Sequence, residues 1–93
     1  MVEVKVTFSH ALTSATSNQR EAWIEGSTLK EALENLTRIY GDELKQRLFD
    51  NDGKPKRFIN IYINGKDMRF IEGLETKLKK DDEILILPAV SGG

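Results

Sequence analysis

The sequence predicts an α+β fold: a mixed sheet with one main helix packed on one of its faces. Three observations predict it. Residues 2–8 and 84–87 are strand-like runs near the two ends of the chain. A single strongly amphipathic helix follows Thr28, in a capping context. The alternating run of Ile59, Ile61 and Ile63 leads into Asn64-Gly65, a pair that closes tight hairpins because both residues tolerate positive φ.

Taken in order, Val2, Val4, Val6 and Phe8 alternate with Glu3, Lys5 and Thr7, the period of a half-buried strand. Residues 9–19 are rich in Ser, Thr, Asn and Gln and read as a polar loop. Residues 20–25 return as a weaker strand carrying Trp23, closed by Gly26. This pattern does not decide whether Trp23 covers the core or faces a partner.

The helix begins with Thr28 and Glu31 at capping-box spacing, where hydroxyl and carboxylate satisfy each other's free backbone N–H groups. Leu29, Ala32, Leu33, Leu36, Ile39 and Tyr40 then form one apolar stripe, and Gly41 stands where a left-handed cap is wanted. Leu44 and Leu48, four apart, mark a short second helix over 42–49. Asp50-Asn51-Asp52-Gly53 is turn chemistry and lacks the ligand spacing of a calcium loop. Residues 66–70 are expected as the return strand of the hairpin. Residues 79–83 read as a charged, solvated turn before the last strand, which Pro88 ends. Strand, strand, helix and three further strands at this length describe the β-grasp.

Ninety-three residues support one core and little room for a deep substrate cavity. Fourteen basic and fifteen acidic residues leave a net charge of −1 and no basic stripe of the kind that binds nucleic acid. No run approaches the roughly 20 apolar residues needed to cross a bilayer, and the N-terminus lacks a signal-peptide pattern. The expectation is a cytoplasmic protein. There is no cysteine, so any sulfur atom in its chemistry comes from elsewhere. His10 stands alone, the serines lack a nucleophile-elbow context, and no phosphate-binding glycine loop occurs. The chain is therefore expected to be a carrier and not an enzyme, with no cofactor of its own.

Residues 1–87 are expected as the folded domain and 88–93, Pro-Ala-Val-Ser-Gly-Gly, as a flexible tail. Six extended residues reach at most about 20 Å. Gly92 and Gly93 have no Cβ, so they pass through a narrow channel and present a carboxylate to another protein's active site.

The runs Ile61-Tyr62-Ile63-Asn64-Gly65, Asp82-Glu83-Ile84-Leu85-Ile86-Leu87-Pro88 and Val90-Ser91-Gly92-Gly93 resemble the MoaD/ThiS family of sulfur carriers, and within it the archaeal small ubiquitin-like modifiers. The segments 70–74 and 76–78 also look like the archaeal branch. The resemblance covers nearly the whole chain and implies the same β-grasp. It implies that an E1-like enzyme adenylates Gly93 with its own ATP and magnesium. The terminus then becomes a thiocarboxylate that donates sulfur, in molybdopterin or thiolated-tRNA synthesis, or is joined to target lysines. Both fates begin with the same adenylate, so the resemblance does not separate them.

If the isoleucines of residues 59–63 and 84–86 face the helix, alternation sends Phe58, Tyr62, Leu85 and Leu87 to the opposite face. One helix covers one face of a sheet, so these side chains are read as a docking surface, against the alternative that a loop covers them. Pro88 and Val90, at the root of the tail, are added to that set. In similar proteins this face meets the activating enzyme or the large subunit of molybdopterin synthase. A monomer enters a partner's site most simply. The competing reading is a non-catalytic β-grasp binding module whose tail is incidental.

Overall fold

The computed structural model describes residues 2–88. Strands β1 (Val2–Phe8), β2 (Glu21–Gly26), β3 (Ile59–Ile63), β4 (Lys66–Asp67) and β5 (Glu83–Pro88) form one sheet in the order β2-β1-β5-β3-β4. β1 and β5 run parallel at its centre, and the other neighbours are antiparallel. Helices α1 (Leu29–Tyr40) and α2 (Asp42–Leu48) follow β2. The mixed sheet, main helix and β-grasp order agree with the pattern in the chain.

The core lies between α1 and one sheet face, because the period-two and period-3.6 patterns aim their apolar residues at the same space. Val4, Val6 and Phe8 of β1 meet Ile84 and Ile86 of β5 and Ile59, Ile61 and Ile63 of β3, all buried. Leu29, Ala32, Leu33 and Leu36 of α1 close it from above. Tyr40 meets Phe8 edge-on, ring centroids 5.8 Å apart and planes at 88°. Ile39 departs from the expected stripe: it is 64% exposed. It lies in the last turn of α1, where neighbouring positions of a helix point in different directions and Tyr40 is the one that reaches Phe8.

The start of α1 is capped nearly as its spacing suggests. Thr28 Oγ1 accepts the Glu31 N–H at 3.3 Å, but the Glu31 carboxylate accepts from Ser27 N–H at 2.6 Å in place of Thr28's own. Thr28 is instead paired across to Lys77 in an isolated bridge. Gly41, at φ 89°, ends α1 and starts α2.

Three expectations are corrected. Residues 10–15, expected as loop, form a 3₁₀ helix (His10–Ala15) that buries Leu12 and Ala15. Arg47 of α2 fastens it, donating to the Ala11 carbonyl at 3.2 Å and to Ser14 Oγ at 3.0 Å. The return strand stops after two residues. Asp67 Oδ1 accepts the Arg69 N–H at 2.8 Å, which turns the chain into a 3₁₀ helix (Met68–Phe70) and buries Met68. Pro88, expected as the first residue of the tail, is the last residue of β5, opposite Ile59.

Gly26 shows how closely sheet and helix approach. A Cβ there would lie 2.7 Å from the Ala32 nitrogen and 2.9 Å from its Cα, backbone atoms that move only with α1. Gly26→Ala is expected to destabilise the fold by about 1–3 kcal/mol. That corresponds to a midpoint lowered by roughly 4–8 °C for each kcal/mol, read by thermal denaturation. An unchanged midpoint would contradict this contact.

Candidate functional site

The face of the sheet away from α1 is open, and its side chains follow from register. Leu85 of β5 lies between Thr7 of β1 and Tyr62 of β3, and Tyr62 is in turn opposite Asp67 of β4. Leu87 is opposite Asn60. Phe58 precedes β3 with the parity of Asn60 and Tyr62 and is 64% exposed. Leu85 is 39% exposed, while Tyr62, Leu87 and Pro88 are half-buried. The fold therefore brings four of the expected docking residues, Phe58, Tyr62, Leu85 and Leu87, to one side of the β3–β5 ladder, while Pro88, opposite the buried Ile59, has the parity of the core face. Val90, Gly92 and Gly93 lie outside the described residues.

Trp23, undecided from the pattern, is on this same face. It is 51% exposed and stands opposite Lys5, whose Nζ is 3.4 Å from a Glu21 carboxylate oxygen. Lys5 and Thr7 of β1 form a polar stripe between Trp23 and the Leu85–Tyr62 pair. The face is thus two apolar patches parted by polar side chains, not one continuous one.

Arg69 is an exposed cation beside this face that the pattern does not reveal. Its guanidinium donates to Asp67 at 2.7 Å and 3.1 Å and to Asn60 Oδ1 at 2.9 Å. This fork holds a cation at the β3 edge of the open face. Hydrogen bonds from the Arg69 side chain and backbone hold the Asp67 carboxyl below its usual range. The same partner raises the guanidinium of Arg69, which stays charged at any ordinary pH. The spacing of Asp67 and Arg69 just after the Asn64-Gly65 turn is the available signal, masked by the strand-like composition of 66–70.

The hairpin beneath is fixed by Asn64 and Gly65, at φ 51° and 86°, the pair of positive angles that a two-residue turn of this hand requires. Asn64 also ties the hairpin to the start of β5. Its Nδ2 donates to Asp82 at 2.9 Å and its Oδ1 accepts from Glu83 N–H at 3.0 Å. The Asp82 carboxylate further accepts the Lys79 N–H at 2.7 Å. Acidic and polar residues of the 79–83 segment therefore set the register of β5, the strand that leads to the C-terminus.

What this arrangement can do chemically is bind and present. Among the described residues no group of three His, Cys, Asp or Glu side chains is placed to hold a metal ion. No helix among them is long and apolar enough to cross a membrane. β5 is an interior strand of the sheet, and its last residue, Pro88, lies opposite Ile59, next in sequence to Phe58.

Comparison with known proteins agrees with this geometry. The ThiS family pattern matches residues 6–93. The sulfur carrier protein CysO of Mycobacterium tuberculosis is 37% identical over 94 residues, covering 99% of this chain and 100% of its own. The solution structure of small archaeal modifier protein 1 from Methanosarcina acetivorans superposes with a TM-score of 0.89 at 40% identity, over 100% of this chain and 98% of that one. A chain of the BexX/CysO complex of Amycolatopsis orientalis gives 0.86 at 36% identity, over 97% and 99%.

Proposed function

Because the chain belongs to the ThiS family, we propose that it carries sulfur on the carboxylate of Gly93, activated by a separate E1-like enzyme. The observation that carries this reading is the extent of the match. It runs from β1 to Gly93 and so includes the Gly92-Gly93 pair together with the strand that leads to it. The relatives are small ubiquitin-like carriers and not enzymes.

The chemistry follows from the terminus. A free carboxylate is a poor acyl donor because oxide is a poor leaving group. Its oxygen attacks the α-phosphate of ATP, pyrophosphate departs, and an acyl-adenylate with AMP as leaving group remains. Hydrosulfide then attacks the acyl carbon, the bond to the AMP phosphate oxygen breaks, and loss of the sulfur-bound proton leaves a thiocarboxylate and free AMP. ATP and magnesium belong to the partner in this reading, and this chain contributes fold, docking face and terminus. An ATP-using partner fits the expected cytoplasmic setting. The acceptor side is the large subunit of a molybdopterin-synthase-like enzyme or another sulfur-accepting enzyme. Likeness to an archaeal modifier protein at 40% identity favours a second fate for the same adenylate, attack by a lysine amine to form an isopeptide bond.

The reading is tested by intact mass after incubation with ATP, magnesium, the source organism's E1-like enzyme and sulfide. Replacement of one oxygen by sulfur, located to Gly93 by fragmentation, is expected. A Gly-Gly remnant on lysines of other proteins would make conjugation the main fate. Neither product, beside an E1 active on a control carrier, would leave a binding module.

A further inference from the structure

The loop between α2 and β3 carries Lys54, Lys56 and Arg57, three exposed cations within four residues. The fold sets that loop beside Arg69. The four rim an open cleft of about 680 Å³ floored by Ile59, Met68 and Leu74, with no carboxylate side chain in its lining.

The loop is held in place. Asp50 Oδ1 accepts the N–H groups of Asp52 and Lys54 at 2.9 Å and 3.0 Å. Asp50 N–H donates to the Lys54 carbonyl, and Lys56 N–H to the Leu48 carbonyl, each at 2.8 Å. Phe49 and Pro55 form an isolated bridge. Among the described residues Arg69 is paired with Asp67, but Lys54, Lys56 and Arg57 form no ion pair. With Asp50 and Asp52 the segment 50–57 has a net charge of +1, its three cations gathered at the 54–57 end that lines the cleft.

Its position is informative. Ile59, on the floor, is the register partner of Pro88, so the cleft lies beside the end of β5. Phe58 of the open face directly follows Arg57 of the rim. The cleft therefore borders both the docking face and the last described residue of the strand that leads to Gly93.

We propose that this cleft binds an acidic segment of the activating enzyme, carboxylates on the Lys54, Lys56 and Arg57 rim and an apolar side chain on the floor. The proposal rests on the carrier reading and adds what the partner presents. Cations on a rim chiefly speed encounter with an acidic surface. The chain's own terminal carboxylate is a weaker occupant. The five residues 89–93 extend at most about 17 Å and end in one carboxylate, which leaves most of the rim's charge unanswered.

The test is the association rate with the source organism's E1-like enzyme, by stopped-flow, between about 0.01 and 0.15 M salt, where the screening length falls from about 30 to 8 Å. Wild type is expected to slow as salt rises. The Lys54→Gln/Lys56→Gln/Arg57→Gln variant is expected to associate roughly tenfold more slowly at low salt, with a flattened salt dependence. The three Glu replacements should slow it further. All three side chains are exposed, so unfolding midpoints should not move by more than a surface change allows. A Gln variant with wild-type rate and salt slope overturns the proposal. So does movement of the Lys54–Arg57 amide resonances on deletion of Gly92-Gly93 without partner, which would make the terminus the occupant. Adenylation of wild type, read by mass in the same samples, separates the two ideas. Wild type neither bound nor adenylated overturns the carrier reading and the cleft's role with it. Adenylation with charge-independent binding overturns the cleft alone.

Discussion

Deletion of Gly93, or addition of one alanine after it, is expected to abolish adenylation and leave folding unchanged. The adenylate forms on the terminal carboxylate, and moving that group by one residue displaces it by about 3.3–3.6 Å. A misplacement near 1 Å already costs roughly a hundredfold in a positioned reaction, so activity should fall below detection. The core residues all lie between Val4 and Ile86, so the unfolding midpoint should match wild type. Pyrophosphate release with E1-like enzyme and ATP is the measurement. Retained release from either variant would show that Gly93 is not the activated residue. A lowered midpoint would show instead that the terminus supports the fold.

Leu85→Lys is expected to produce the second largest effect, on binding and not on stability. Leu85 sits at the centre of the open face with Tyr62 opposite, and a cross-strand pair of this kind is worth only about 0.2–1 kcal/mol to the sheet. A lysine there keeps its head in water in the free protein. Against a partner the same head is desolvated, and truncation or replacement of a central interface residue costs about 2 kcal/mol or more, which is roughly a thirtyfold weaker Kd. Titration calorimetry with the E1-like enzyme, beside thermal denaturation, separates the effects. A Kd unchanged in a folded variant would remove the β3–β5 ladder from the docking surface. A parallel loss of binding and stability would make Leu85 structural.

Much of the architecture was legible because it is specified locally. The alternation at Val2–Phe8 and Ile59–Ile63, the Thr28–Glu31 cap and the Asn64-Gly65 turn each depend on residues a few positions apart. The docking set at Phe58, Tyr62, Leu85 and Leu87 followed from the same alternation, since a strand sends its neighbours to opposite faces whatever surrounds it. Misreadings arose where a side chain overrode local pattern. Leu12 and Ala15 were hidden in a polar run that Arg47, more than thirty residues away, holds as a 3₁₀ helix. Residues 66–70 had the composition of a strand until the Asp67–Arg69 bonds turned the chain.

The chain's own pattern is enough for the fold class, the core side of each strand and the expectation that function lies at the C-terminal glycines, because periodicity, capping and turn chemistry act over short separations. It is silent on which distant residues become neighbours. Trp23 joins the open face because β2 pairs with β1, and Arg69 reaches Asn60 because the hairpin closes early. The cationic cleft exists only because the loop at 54–57 folds beside Met68, Arg69 and Leu74 at the end of β5. Such proximities are set by strand register and loop closure, which sum contributions from the whole core and are carried by no short segment.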